Sequence, residues 1–215
     1  MLNSYAQLVK LNWTRTQAAE KNFGLVFALN LAVCFTIYMV LTEILIAHHA
    51  ADGIIVYDPF FPLIKPMDFS PLIFLCTYIG IFSIIFYLTT VPVVFMHALR
   101  GFVVLFALRL TFIYLLPFHP APDVIVLRDP FTDNIIGFKG EVLNDLFFSG
   151  HVADLAFFVF CCKYKPLRIL LIVLTVLTSI MLVLQKAHYT ADVLGAPFFS
   201  FACYTVFVKR HEKEN

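Results

Sequence analysis

Gln185-Lys186-Ala187-His188-Tyr189-Thr190-Ala191-Asp192-Val193 joins two long apolar runs, 167–184 and 191–208. A bilayer-crossing helix needs roughly 20 apolar residues. Two such runs joined by so brief a polar connection read as antiparallel membrane helices. Histidine and aspartate are costly in lipid, so His188 and Asp192 require a reason to stand where they do.

Working outward, four more runs of this kind precede the pair: 23–47, 70–88, 101–118 and 147–162. The spacing predicts an all-α polytopic membrane protein of six transmembrane helices. The fourth run is short and carries Ser149 and His151 near its start; the sixth begins at Asp192. Short spans with polar starts suggest helix ends that face a watery cavity rather than lipid. Composition agrees. The 215 residues are 61% hydrophobic and 13% charged, with a mean hydropathy of +0.88. A soluble domain is about half apolar and about a quarter charged. A net charge of +1 gives no footprint for nucleic acid. The chain divides into a segment 1–22, a catalytic membrane domain 23–208 and a tail 209–215. Leu2, Tyr5, Leu8, Val9 and Trp13 either form an interfacial helix face or belong to a plain cytosolic tail. The first apolar run is longer than the roughly 7–15 residues of a signal-peptide core. Cys34, Cys76, Cys161, Cys162 and Cys203 lack metal-ligand spacing and read as small buried hydrophobes.

Lysine and arginine set the expected orientation. One side receives Lys10, Arg15, Lys21, Arg100, Lys163, Lys165, Arg168, Lys209, Arg210 and Lys213; the other receives Lys65, Arg128, Lys139 and Lys186. Arg109 lies within the third run and counts for neither. Ten against four places both termini in the cytosol. Both motifs then open on the exoplasmic or periplasmic side, the side that also carries the two long loops, 48–69 and 119–145, with short cytosolic turns around 92–99 and 163–166. No internal repeat is visible.

The chemistry rests on Ser149-Gly150-His151 and His188-Tyr189-Thr190-Ala191-Asp192-Val193. His188 and Asp192 are four residues apart, which on a helix puts them on one face. The carboxylate can then accept one imidazole N–H and leave the other nitrogen available. Ser149 and the amides of 149–151 can point at an anion, aided by the helix dipole. One histidine can attack phosphorus while the other protonates the leaving oxygen, a scheme that calls for no metal and no cofactor. The competing reading of each motif alone is structural: His188 and Asp192 tie two helices together. Arg109 lies about 12 Å inward from Pro117, too deep to snorkel easily. It serves either as a phosphate contact or as half of an ion pair, with Glu43 as a candidate partner.

The stretch 144–151 resembles the third motif of the sphingomyelin synthase family, roughly C-G-D-x3-S-G-H-T. His188 to Val193 matches that family's fourth motif, H-Y-[ST]-x-D-V, in full. The family is a branch of the lipid phosphatase/phosphotransferase superfamily related to type 2 phosphatidic acid phosphatases. Leu143-Asn144 replaces the family's Cys-Gly, and Val152 its final Thr. Arg100, Arg109, Thr111 and Leu116-Pro117 resemble the second motif at altered spacing, and 62–68 only echoes the first. The resemblance implies six spans with cytosolic termini. It also implies His188 as nucleophile, Asp192 as its orienting acid and His151 as acid/base. Asp145 aligns with an acidic motif residue, either steadying His151 or a head group, or standing as a plain helix N-terminal acid. Ser149, Gly150 and Tyr189 support the site.

Charge bears on the substrate. The wider superfamily usually carries K-x6-R-P and S-R-x5-H, and neither occurs here; the residue six before His188 is Leu182. A phosphomonoester carries close to two charges and favours several cations, whereas a diester carries one. One deep arginine suits a diester better. Lys65, Arg128, Lys139 or Lys186 folded over the site would weaken that argument. The expected activity is therefore cleavage of phosphatidylcholine or phosphatidylethanolamine to diacylglycerol. The phospho-head group passes through a phosphohistidine to ceramide, another lipid alcohol or water. The alternatives are a lipid phosphate phosphatase and a non-catalytic transporter or scaffold. A transporter would show repeats and broken helices in both halves.

Overall fold

The computed structural model describes residues 2–47, 53–129 and 146–212. They form α1 (Leu2–Ala19), α2 (Phe23–Ala47), a 3₁₀ turn (Phe61–Leu63), α3 (Ser70–Leu88), α4 (Pro92–Leu115), α5 (Gly150–Cys161), α6 (Lys165–Leu184) and α7 (Thr190–Tyr204). A π-helical stretch, Thr205–Lys209, and one last turn, Arg210–Glu212, continue α7. Among the described residues the one β feature is a bridge between Ile54 and Phe118.

Prolines in the first turn open three of these helices, Pro71 in α3, Pro92 in α4 and Pro166 in α6. Proline is tolerated there because a first-turn N–H has no intrahelical acceptor. Pro92 also corrects one expectation. Residues 92–99 are the opening turns of α4, not a loop, and the α3–α4 connection shrinks to Thr89–Val91. A proline inside polar-edged sequence marks a helix start as readily as a turn.

Among the described residues, four helices are long and apolar enough to cross a membrane: α3, α4, α6 and the stretch Thr190–Lys209. The α1–α2 pair counts as a fifth if taken together, though it bends by 107° between Ala19 and Phe23. Asn22 makes that corner with a left-handed φ of 69°, a conformation asparagine tolerates better than most residues. These are the helices of a multi-pass membrane protein. α5, the expected fourth pass, has 12 residues, about 18 Å of helix against a roughly 30 Å hydrocarbon core.

The short helix is the centre of the bundle. α5 packs against α7, α6, α3 and α4, while α2 packs along α4. Val152, Leu155 and Phe157 of α5 are almost wholly enclosed. The surrounding helices bury one stripe each, such as Ile73, Thr77, Gly80 and Ile84 of α3 or Leu171, Leu174, Thr178 and Leu182 of α6. Their other faces expose large apolar residues, including Leu72, Phe82, Ile172, Val176 and Phe198, as lipid-facing surfaces do. Close approach is built in: a Cβ on Gly80 would sit 2.3 Å from Leu155 Cδ2. Ser200 on α7 donates to Ala153 O of α5 at 2.7 Å, a polar tie between buried helices.

α1 docks on the far end of α3. Tyr5 stacks on Phe86, with ring centroids 3.9 Å apart, and its hydroxyl meets Phe86 O and Thr89 Oγ1. Asn12 Nδ2 donates to Thr90 O at 2.7 Å and Trp13 Nε1 to Thr89 O at 2.8 Å. Tyr5 and Trp13 thus bind protein rather than lie in a purely interfacial face. Leu8 and Leu11 are large apolar residues that this helix leaves exposed.

Candidate active site

The α6–α7 connection is a shaped turn. Lys186 adopts φ 57°, and Tyr189 is extended at φ −65°, ψ 152°. α7 begins only at Thr190, so His188 precedes the helix and does not share a helical face with Asp192, contrary to the sequence expectation. The two meet by another route. Asp192 is the third residue of α7, and its Oδ2 accepts the Tyr189 N–H at 3.2 Å. That carboxylate, facing back across the helix start, lies 3.5 Å from His188 Nδ1. The contact is an ion-pair distance rather than a hydrogen bond. Both side chains are buried, His188 being 5% and Asp192 1% exposed.

A second carboxylate completes this helix start. Asp58, from the loop before α3, accepts the Thr190 N–H on Oδ2 at 2.6 Å and the Phe60 N–H on Oδ1 at 2.9 Å. Acids at a helix N-terminus satisfy otherwise unpaired donors and oppose the dipole. Sequence reading missed Asp58, because its partner lies 132 residues away.

α5 begins beside α7. Ser149 N donates to Asp192 O at 3.2 Å, and Ser149 stands before α5 with no side-chain capping bond. Its Oγ is buried without a hydrogen-bond partner among the described residues, as is His188 Nδ1. His151 sits edge-on to Phe74, centroids 5.1 Å apart. Arg109 reaches this point from α4 and is 7% exposed. A Cβ added to Gly150 would fall 1.2 Å from Arg109 Nη1 and 2.4 Å from Cζ. The glycine therefore makes room for the guanidinium directly against the Ser149-Gly150-His151 backbone. The sequence leaves Arg109 either as a phosphate contact or as half of an ion pair; the structure sets its guanidinium beside the start of α5. Side-chain contacts of Glu43, the other candidate partner, and the whole of Asp145 lie outside the described residues.

Phe147 enters α5 at φ 121°, a region uncommon for a residue with a side chain. Its ring stacks on Phe112 at 4.4 Å and Phe148 stacks on Phe199 at 4.6 Å. These contacts hold the strained approach that delivers Ser149 and His151.

The frame around the site is polar and cross-linked. Gln185, fully buried, accepts from Phe69 N at 2.8 Å and donates to Ser70 Oγ at 2.9 Å and Ile125 O at 3.1 Å. It stitches the start of α3, the loop after α4 and the α6–α7 turn together. The Tyr189 hydroxyl donates to His119 O at 2.7 Å and its ring stacks on Phe61 at 5.4 Å. Burial pushes the Tyr189 phenol above its ordinary pKa. Lys186 pairs with Asp123 at 2.6 Å, and that hydrogen bond holds the Asp123 carboxyl below the usual range. Lys139 lies outside the described residues. Among the described residues, no three His, Cys, Asp or Glu side chains are grouped to hold a metal ion.

The comparisons with known proteins bear on this end of the molecule. Residues 144–210 match the protein-family model described as PAP2 superfamily C-terminal. No curated protein matches the chain. The matched stretch takes in α5, α6, α7 and both motifs. It supports a place in the type 2 phosphatidic acid phosphatase superfamily, and so a membrane lipid phosphatase or phosphotransferase that acts on phosphate esters.

Proposed function

We propose that this protein is a phospholipid phosphotransferase or phosphodiesterase of the sphingomyelin synthase kind. One observation carries the reading: Arg109, Ser149-Gly150-His151 and the His188–Asp192 pair, from three separate parts of the chain, are brought to one end of the bundle. With Nδ1 turned to Asp192, His188 presents Nε2 as nucleophile. Nε2 attacks phosphorus and the bond from phosphorus to the glycerol oxygen breaks. His151 gives that oxygen its proton, releasing diacylglycerol and leaving the phospho-head group on His188. In the second half His151 takes the proton of the acceptor hydroxyl as its oxygen attacks phosphorus, and the phosphorus–nitrogen bond breaks. Arg109 and the backbone amides at the start of α5 stabilise charge on the non-bridging oxygens.

A diester donor is favoured over a monoester because Lys186, two residues before His188, is drawn off to Asp123. Among the described residues, Arg109 is a cation set directly against the motif. The lysine and arginine asymmetry supports a site facing away from the cytosol. A cysteine in place of exposed Lys65 should then react with an impermeant reagent added to intact cells, and one in place of exposed Lys163 should not. The reverse pattern would invert the topology.

The activity is tested with purified protein and head-group-labelled phosphatidylcholine or phosphatidylethanolamine, with and without ceramide. Label transferred to ceramide supports a synthase. Soluble phosphocholine or phosphoethanolamine supports phospholipase C-type hydrolysis. Release of inorganic phosphate from phosphatidic acid, with both diesters untouched, would replace this reading with a lipid phosphate phosphatase.

A further inference from the structure

The end of the bundle opposite the motifs holds a cavity of about 500 Å³ between α1, the start of α4, the α5–α6 turn and the end of α7. Its polar lining is Arg15, Thr16, Glu20, His97, Lys163 and His211. The walls between them are apolar, with Val93, Val94 and Val208 among them. A smaller cavity of about 220 Å³ shares Glu20 and His97 and adds Lys21 and Arg100. Among the described residues, four cationic side chains and two imidazoles thus line the two spaces with one carboxylate. The His97 and His211 rings stack with centroids 4.2 Å apart and planes 20° from parallel, joining α4 to the chain end beyond α7. None of these residues takes part in the chemistry at His188.

We infer that this cavity binds a phosphate-monoester group, carried by an anionic phospholipid. The volume lies within the roughly 300–1,000 Å³ of small-molecule sites. Arg15 and Lys163 both line the cavity, from different elements, and two cations on one anion make charge-assisted hydrogen bonds. The apolar walls suit the glycerol and first acyl carbons behind such a head group. Placement agrees as well: α1 turns by 107° from α2 and is tied to the end of α3, the end at which a bilayer spanned by α3 and α4 would set its lipid phosphates. The hydrogen bonds of Asn12 and Trp13 to Thr90 and Thr89 fix α1 against the bundle and so fix the cavity's outer wall. The site is independent of the proposed reaction.

The test measures binding to the full-length detergent-purified protein by native mass spectrometry, in wild type and in His188→Ala, which prevents turnover at the other end. The probes are dioleoyl phosphatidic acid, dioleoyl phosphatidylcholine and glycerol 3-phosphate. Phosphatidic acid should bind saturably and about tenfold or more tighter than phosphatidylcholine. Arg15→Glu with Lys163→Glu should remove that preference. Lys10→Glu with Lys65→Glu, the same charge change outside the cavity, should keep it. His97→Phe with His211→Phe, which retains stacking and loses the ring N–H groups, should weaken it. Glycerol 3-phosphate binding that depends on Arg15 and Lys163 would assign the site to soluble phosphate esters; its failure to bind would assign it to lipid. No preference for phosphatidic acid, or equal loss in both charge-reversed pairs, would overturn the inference. A failed phosphotransfer reading shows instead as a missing adduct on His188 and leaves this binding unchanged.

Discussion

α5 and α7 start side by side, joined by the Ser149 N to Asp192 O bond, yet their first turns are built in opposite ways. α7 has its donors met by protein carboxylates, Asp58 on Thr190 and Asp192 on Tyr189. α5 has no side-chain cap; a guanidinium packs against its first residue instead. A helix N-terminus faced by carboxylates repels an anion, and one faced by arginine attracts it. In the proposed reaction the start of α7 is the acidic anchor that orients His188, and the start of α5 is where the phosphate group lies.

The largest expected effects come from the two motif histidines, one at the start of each helix. His188→Ala should abolish turnover and the covalent adduct, a loss of roughly 10⁴-fold or more. His151→Ala should slow transfer by roughly 10²–10⁴-fold. Their double variant should be little worse than His188→Ala, because members of one catalytic unit are not additive. Additive losses would separate the two helix starts into unrelated features.

Gly150→Ala sharpens the α5 side. Its methyl group must displace the Arg109 guanidinium, and misplacement on the order of 1 Å costs about 10²-fold in rate. Arg109→Ala should cost as much, and the double variant no more than Arg109→Ala alone. Unchanged steady-state rates in a folded Gly150→Ala protein would remove Arg109 from the phosphate site.

Asp58→Ala probes the α7 side at smaller scale. It should cost roughly 1–2 kcal/mol of stability as a lost cap, read as a lower unfolding midpoint in detergent, with kcat reduced far less than by Asp192→Asn. Equal loss of kcat would make Asp58 part of the chemistry. The smallest effect belongs to Asp123→Asn. The Asp123 carboxyl is held low by Lys186, so its contribution is complete above the ordinary carboxylate pKa of about 3.9 and fades only as pH falls through the lowered value. The midpoint difference from wild type should stay constant between pH 8 and pH 5.

The helices were legible because apolar runs of bilayer length carry their own signal, and because Ser149 and Asp192 mark where two of them begin. The shortness of the fourth run was visible too, and the structure gives it a reason: α5 is sheathed by its neighbours. Other features were not legible. Placing His188 and Asp192 on one helix assumed helical geometry across the turn, and the left-handed Lys186 and the extended Tyr189 that break it leave no pattern in composition. Asp58 and Gln185 act through partners more than a hundred residues away. A buried glutamine at the end of an apolar run was the one available hint. Arg109 announced itself as costly in lipid, but only the missing Cβ of Gly150 shows where its guanidinium rests.

The proposed reaction passes through a phospho-head group attached to His188. Purified protein is mixed with phosphatidylcholine or phosphatidylethanolamine in the absence of ceramide, quenched, and mapped by peptide mass spectrometry. The expected result is a phosphocholine or phosphoethanolamine adduct on His188, lost when ceramide is added and absent from His188→Ala. A folded His188→Ala protein with normal turnover, or an adduct on a residue other than His188, would contradict it.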